Sequence, residues 1–238
     1  AVAMVYGFLS ELSEQVLYYI PNRYSEGYGV SEKGIDFAIE QKVSLIITLD
    51  CGIKAVEKIK KAKDNNIDVI VGDHHLPPEI LPEAIILNPK QKNCPYPFKE
   101  LCGAGVGFKF IQALCEKLKL SDEKAKQYLD LLALGTGADM VSLTDENRIF
   151  THFGLKKINE NPSSGIQAIL NVAKCKTPIN IRDIGFAIAP RINAAGRIDD
   201  AKKIVELLTS GNLAIQKELS NAISIENEYR RELDQEIT

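Results

Sequence analysis

The 238-residue chain contains no tryptophan, only three histidines and two methionines, and no stretch approaching the roughly 18 apolar residues of a membrane span. No basic segment followed by an apolar one opens the chain, so neither a spanning helix nor a cleavable signal is expected. The five cysteines, Cys51, Cys94, Cys102, Cys115 and Cys175, are odd in number and form no C-x-x-C pair. That pattern argues against a disulfide framework or a thiolate zinc site, and for reduced thiols in a cytoplasmic protein. Positive charge is not in excess either. With 29 Lys and Arg against 32 Asp and Glu, the net charge is -3, so no global field attracts a polyanion and any anion binding must be local. Internal repeats and low-complexity segments are absent.

What is present suits a packed protein: 45% apolar and 26% charged residues can form one large domain or two small ones. The first residues are in helical rhythm, with Val2, Val5, Tyr6, Leu9 and Leu12 on one face. "VLYYI" (16–20) reads as a strand, and the Gly-rich loop "NRYSEGYG" leads to Ser31, an N-cap for a helix through Gln41. The apolar run "VSLIITLD" (43–50) ends in Asp50. After a helix bearing Ile53, Val56 and Ile59, "IDVIVGD" (67–73) repeats the design and ends in Asp73. Unbroken apolar strands joined by single helices indicate parallel strands covered on both faces, an α/β doubly wound sheet.

Residues 76–102 are proline-rich around one short strand, "AIIL", and from residue 103 the pattern is helical throughout. The expected organisation is an α/β part over 1–102, a helical part over 103–210 and a long connecting helix over 211–238. In that last helix a stripe of Ile215, Leu219, Ala222, Tyr229, Leu233 and Ile237 runs for about seven turns. Neither end has the caps of a natural terminus, so the chain is expected to be the core of a longer protein, its last helix leading to a further domain.

In doubly wound sheets, ligands gather beyond the carboxyl ends of the strands. Asp50 ends one strand and Asp73-His74-His75 the next, so both should face one crevice. Alone, Asp50 could cap the helix after it, and "GDHH" could be a polar turn with a histidine bonded to backbone. Two parallel strands that both end in such residues favour a metal site of carboxylate and imidazole, a donor set suited to Mn²⁺ or Mg²⁺. In extended backbone adjacent side chains point to opposite sides, so only one histidine should ligate while the other faces substrate. Asp139 in "LALGTGADMVSL" is a third carboxylate, by itself only a helix-end Asp. In "APRINAAGRI" the guanidiniums of Arg191 and Arg197, beside Asn193, could grip phosphate oxygens, or could instead cap helices or pair with Asp199 and Asp200. "GAGVG" (103–107) follows no strand and precedes no Lys-Ser/Thr, so helix packing explains it better than a phosphate loop.

Taken in series, "TLDCGI", "GDHH", "NPKQKNCPYPFKELCGAGVGFKF", "LGTGADMVSL" and "PRINAAGR" resemble the DHH phosphoesterases, and among them the RecJ-type exonucleases. The resemblance covers nearly the whole chain. It implies a metal-dependent phosphodiesterase that removes nucleotides from the 5′ end of single-stranded DNA in repair and recombination. It implies two Mn²⁺ or Mg²⁺ ions held where the α/β and helical parts meet. By the same resemblance Asp50, His74 and Asp139 are metal ligands, Asp73 orients the histidine, His75 faces the scissile phosphate, and Arg191, Asn193 and Arg197 contact substrate. Single-stranded DNA is the implied partner, with a single-strand-binding protein or helicase beside it. The family's Asp-x-Asp-x-Asp-Gly motif, a further source of ligands, has no counterpart in the chain, so the 238 residues alone are expected to bind metal weakly and turn over poorly. Two alternatives stay open: a relative acting on oligoribonucleotides or cyclic dinucleotides, and a non-catalytic DHH scaffold.

Overall fold

The computed structural model describes residues 1–198 and 201–236; the side chains of 195–198, 230, 231 and 233–236 lie outside that description. The chain opens with α1 (Val2–Ser10) and α2 (Glu32–Glu40). Ser31 caps α2 as its sequence position foretells, its hydroxyl accepting the Gly34 N–H at 2.9 Å. Then come β1 (Leu45–Leu49), α3 (Val56–Asp64), β2 (Asp68–Gly72) and β3 (Ile85–Leu87). The three strands form one parallel sheet in the order β1-β2-β3, with Leu49 opposite Gly72 and Gly72 opposite Leu87. The expected α/β architecture is therefore observed.

The sheet is covered on both faces, as parallel strands require. On one face Ile46, Val69, Val71 and Ile86 pack with Ile35 and Ala38 of α2 and Ile59 and Ala62 of α3. On the other, Leu49 and Leu87 meet Met4, Val5 and Phe8 of α1 and the helix that begins at residue 103. The outer strands are less covered than their apolar runs suggested, since Leu45 and Ile85 are exposed at the sheet edges.

One expected strand is absent. "VLYYI" (16–20) takes no part in the sheet and has no regular structure. Its aromatic rings pack on helices instead: Tyr18 lies edge-on to Tyr6 of α1, and Tyr19 packs against Phe37 of α2. Aromatic and β-branched content marks a fit to a half-buried surface, and here two helices supply that surface.

From residue 103 the fold is helical, as expected: α4 (Gly103–Lys117), α5 (Glu123–Lys126), α6 (Leu129–Asp139), α7 (Asp145–Glu160) and α8 (Ser164–Ala173). A short α9 (Ile181–Asp183) widens into a π-helical turn over Ile184–Ile188 before α10 (Ala189–Ile198). Pro190 has no N–H with which to continue a regular ladder, and the Ala189 N–H reaches back to the Ile184 carbonyl. The chain ends in α11 (Lys202–Thr209) and α12 (Leu213–Glu236).

The change of architecture near 103 is not a break in packing. One apolar cluster runs from Met4, Val5 and Phe8 of α1 through Val106, Phe108 and Ile111 of α4 to Leu132 of α6 and Phe150 of α7. The long last helix packs on α8, α10 and α11. Among its described side chains Gln216, Ser220, Ile223 and Asn227 are buried, the first three one position along from the expected stripe, and Tyr229 is exposed. The difference is a polar anchor. Gln216 Nε2 donates to Ser164 Oγ and to the Leu207 and Ser210 carbonyls, which offsets the cost of burying the amide nitrogen. Leu233 and Ile237, the last two members of that stripe, lie outside the described side chains.

Candidate metal centre

β1 and β2 end side by side, and each strand hands its last turn to an aspartate. Asp50 follows β1 with φ of 63°, a left-handed backbone that Asp tolerates better than most residues, while its N–H still pairs with the Gly72 carbonyl at 2.8 Å. The turn beyond uses Gly52 at φ 109°, where a Cβ would come within 2.5 Å of Thr48 Oγ1. That sharp reversal frees the Asp50 carboxylate from helix capping. α3 starts only at Val56, and the free N–H of Ile53 is taken by Asp73 Oδ2 at 2.9 Å. The reading of Asp50 as a cap is thereby excluded.

Asp73 is the organising residue of the second strand end. It is 1% exposed and its Oδ1 accepts the N–H groups of His74 at 2.7 Å and His75 at 3.1 Å. The same oxygen lies 2.6 Å from His75 Nδ1. Burial pushes its pKa up, but the hydrogen bonds from Ile53, the His75 ring and both histidine N–H groups outweigh burial, and the carboxyl titrates below its ordinary 3.8. Asp73 is thus ionised at neutral pH. His75 Nδ1 then carries the proton it shares with Asp73, leaving Nε2 free. The residue whose ring Asp73 orients is therefore His75; it touches His74 only at the backbone.

This turn differs from the expectation that the two side chains point to opposite sides. That expectation assumed extended backbone, but β2 ends at Gly72 and the Asp73 side chain folds the next two N–H groups around itself. The rings meet edge to face, with centroids 4.6 Å apart. Ligand atoms of Asp50, His74 and His75 all lie within 4.8 Å of one another, a group able to hold a metal ion.

Asp139 joins them from the helical part. His74 Nε2 lies 3.1 Å from Asp50 Oδ1 and 3.5 Å from Asp139 Oδ2. Two carboxylates on one imidazole nitrogen raise the His74 pKa above 6.5, chiefly through the Asp50 hydrogen bond, against the opposing effect of burial. Asp139 is also raised, first by burial and then by the charge of Asp50, while His74 and the Gly103 N–H pull the other way. It is the last residue of α6, where the helix dipole already disfavours an anion. Two carboxylates crowded on one imidazole nitrogen at such a point fit a bound divalent cation.

Residues that sequence reasoning left out complete the walls. At Gly103, the first residue of α4, a Cβ would stand 2.0 Å from Asp50 Oδ1 and 2.3 Å from its Cγ. The "GAGVG" run does serve packing, as read, yet its first glycine also makes room for a carboxylate. Its chain position gave no sign of this, because the contact spans the fold. Asn88, 3% exposed, holds the His75 carbonyl through Nδ2 at 2.9 Å. In the "NRYSEGYG" loop Glu26 accepts from Tyr19, Ser31 and the Asn22 N–H, leaving Tyr24 and Tyr28 79% and 76% exposed. Arg23 lies 5.1 Å from the Tyr28 ring centre, and the Gly29 Cβ position lies 3.8 Å from Cys51 Cβ, beside Asp50.

The "PRINAAGR" residues sit on α10. Arg191 donates from Nη1 to the Ala187 carbonyl in the preceding π-helical turn at 2.6 Å, and Asn193 is exposed. The side chain of Arg197 and the whole of Asp199 and Asp200 lie outside the described residues.

The DHH family's N-terminal domain matches residues 1–136. The single-stranded-DNA-specific exonuclease RecJ of Bacillus subtilis is 41% identical over 232 residues, 97% of this chain and 29% of that protein. Its Escherichia coli counterpart is 39% identical over 230 residues, 92% of this chain and 40% of that protein. A crystal structure of exonuclease RecJ bound to manganese superposes with a TM-score of 0.90 at 32% identity, covering 99% of this chain and 60% of that one. RecJ of Thermus thermophilus in complex with Mn²⁺ gives 0.86 at 29% identity, covering 99% and 34%. The chain thus spans well under half the length of these curated relatives.

Proposed function

The chain belongs to the DHH family, and on that premise we propose that it is the catalytic core of a metal-dependent exonuclease that degrades single-stranded DNA from the 5′ end. The observation that carries this reading is the convergence of Asp50, Asp139, His74 and His75 beyond the carboxyl ends of two parallel strands. Asp50, His74 and Asp139 hold Mn²⁺ or Mg²⁺ in this reading. Divalent ions held there would supply positive charge to lower the pKa of a water and to offset the charge on the phosphate oxygens.

The chain's own groups do the rest. Asp50 and Asp139 supply anionic oxygens, and His74 offers its Nε2 once its proton leaves. Asp73 fixes the half-exposed His75 ring by Nδ1, which leaves its Nε2 free to face the scissile phosphate in this reading. Tyr24 and Tyr28 are exposed in the loop whose Gly29 lies against Cys51, and stacking on such rings is how single strands are held without sequence readout. An acidic chain has no general basic field to offer instead. Arg191, Asn193 and Arg197 complete the substrate contacts in this reading. The organisation that goes with it is an α/β part to residue 102, a helical part to 210 and α12 as a connection. We extend the reading to action in the cytoplasm beside a single-strand-binding protein or helicase; among the described residues no helix is long and apolar enough to cross a membrane.

The test is digestion of end-labelled single strands by the whole protein with Mn²⁺. The expected result is mononucleotide release from the 5′ end, abolished by EDTA and by Asp139→Ala. Cleavage of dinucleotides in preference to long strands would instead identify a different DHH phosphoesterase, and undiminished activity in EDTA would sink the metal reading.

A further inference from the structure

Asn147 lies in the first turn of α7 and is 0% exposed. Its Nδ2 donates to two carbonyls on separate segments, Glu100 O at 2.6 Å and Ser142 O at 3.1 Å. Glu100 stands two residues before Cys102, whose Sγ caps α4 by accepting the Gly105 N–H at 3.2 Å, and Gly103 follows. Ser142 stands three residues beyond Asp139, just past the left-handed Met140. One amide therefore ties the chain entering α4 to the chain leaving α6, and these are the two segments that carry Gly103 and Asp139. The preceding residue supports the same attachment, since Glu146 accepts the Tyr96 hydroxyl and pairs with Lys109 of α4.

We propose that Asn147 is a positioning residue for the cation site: it sets the gap between Gly103, on which the Asp50 carboxylate rests, and Asp139. The proposal builds on the reading of Asp50, His74 and Asp139 as metal ligands. The tolerance at this point is small, because Asp50 sits where a Gly103 Cβ would be. A shift of a few tenths of an ångström in the Glu100–Gly103 segment moves one carboxylate relative to the other and spoils the donor geometry. Groups that orient ligands without touching the metal typically change affinity by about 10–100-fold when removed.

A merely structural asparagine would cost stability and leave affinity alone, and the same helix provides that control. Asn159 of α7 also clamps backbone, with Nδ2 to the Leu155 and Ile179 carbonyls at 2.8 and 2.9 Å and Oδ1 to the Ile179 N–H at 2.6 Å, in a different apolar cluster. The experiment is calorimetric Mn²⁺ titration, with thermal unfolding, of the whole protein and its Asn147→Ala, Asn147→Ser and Asn159→Ala variants. Asn147→Ala is expected to weaken Mn²⁺ about tenfold or more. Asn147→Ser, which keeps one donor, should fall between it and the unmodified protein, and it carries the comparison if the alanine variant does not fold. Asn159→Ala should lower the unfolding temperature and leave Mn²⁺ affinity unchanged. Unchanged affinity in the folded Asn147 variants would overturn the clamp. Mn²⁺ binding indifferent to Asp50→Ala and Asp139→Ala would overturn the cation site itself, and the clamp with it.

Discussion

Asp50 reaches His74 because three small local facts coincide: a left-handed φ at Asp50, Gly52 in the turn beyond it, and no Cβ at Gly103. Gly103→Ala tests the last of these. The added methyl cannot coexist with a carboxylate oxygen 2.0 Å away, so Asp50 must leave His74. Mn²⁺ binding by calorimetry should then fall by at least about tenfold, while far-UV circular dichroism stays that of the parent, since α4 itself favours alanine. The His74 proton offers a second test. In metal-free protein, NMR titration should place His74 above its ordinary 6.5, and Asp50→Asn should bring it down by removing the largest contribution. The sign follows directly. A raised histidine pKa stabilises the metal-free fold below 6.5, and that contribution is lost as pH rises through the raised value. A proton and a cation compete for the same nitrogen, so Mn²⁺ affinity should climb with pH across the same interval.

Among elements, α6 holds the position of Asp139, and close packing fixes α6. Gly154 of α7 lies where a Cβ would be 2.3 Å from the Leu129 carbonyl and 2.4 Å from Ala133 Cβ, while a Cβ at Gly135 would be 2.5 Å from that of Ala104 in α4. Buried Asp130 of α6 accepts the Ser163 N–H at 2.8 Å and pairs with Lys157 of α7 at 3.4 Å, tying three helices together. Gly154→Ala should therefore destabilise the chain by about 1–3 kcal/mol as the two helices are forced apart, read as a lower urea midpoint at unchanged slope. An unchanged midpoint would mean that the α6–α7 approach is slack.

At the scale of the molecule, the apolar cluster shared by α1, α4, α6 and α7 makes the sheet and the helices one cooperative body. Urea unfolding of the 238-residue chain should thus give coincident transitions by tyrosine fluorescence, reporting on rings from Tyr6 to Tyr229, and by far-UV circular dichroism. Two separated transitions would show that the parts before and after residue 103 unfold independently.

The sequence alone determined the α/β class, the order of strands and helices from Ser31 onward, and the carboxylates that end β1 and β2, because each rests on local periodicity or on a short motif. It misread "VLYYI", whose aromatic content suits a strand as well as the helix surfaces it covers, and it shifted the buried face of α12, where Gln216 Nε2 reaches Ser164, 52 residues away in the chain. Only tertiary structure decided that both histidines of "GDHH" turn to one point, that Asp73 orients His75, and that Asp139 closes on His74 from 65 residues away in the chain. Those outcomes depend on where a missing Cβ or one buried carboxylate lets separate segments meet, and no periodicity records a contact between segments that are remote in sequence.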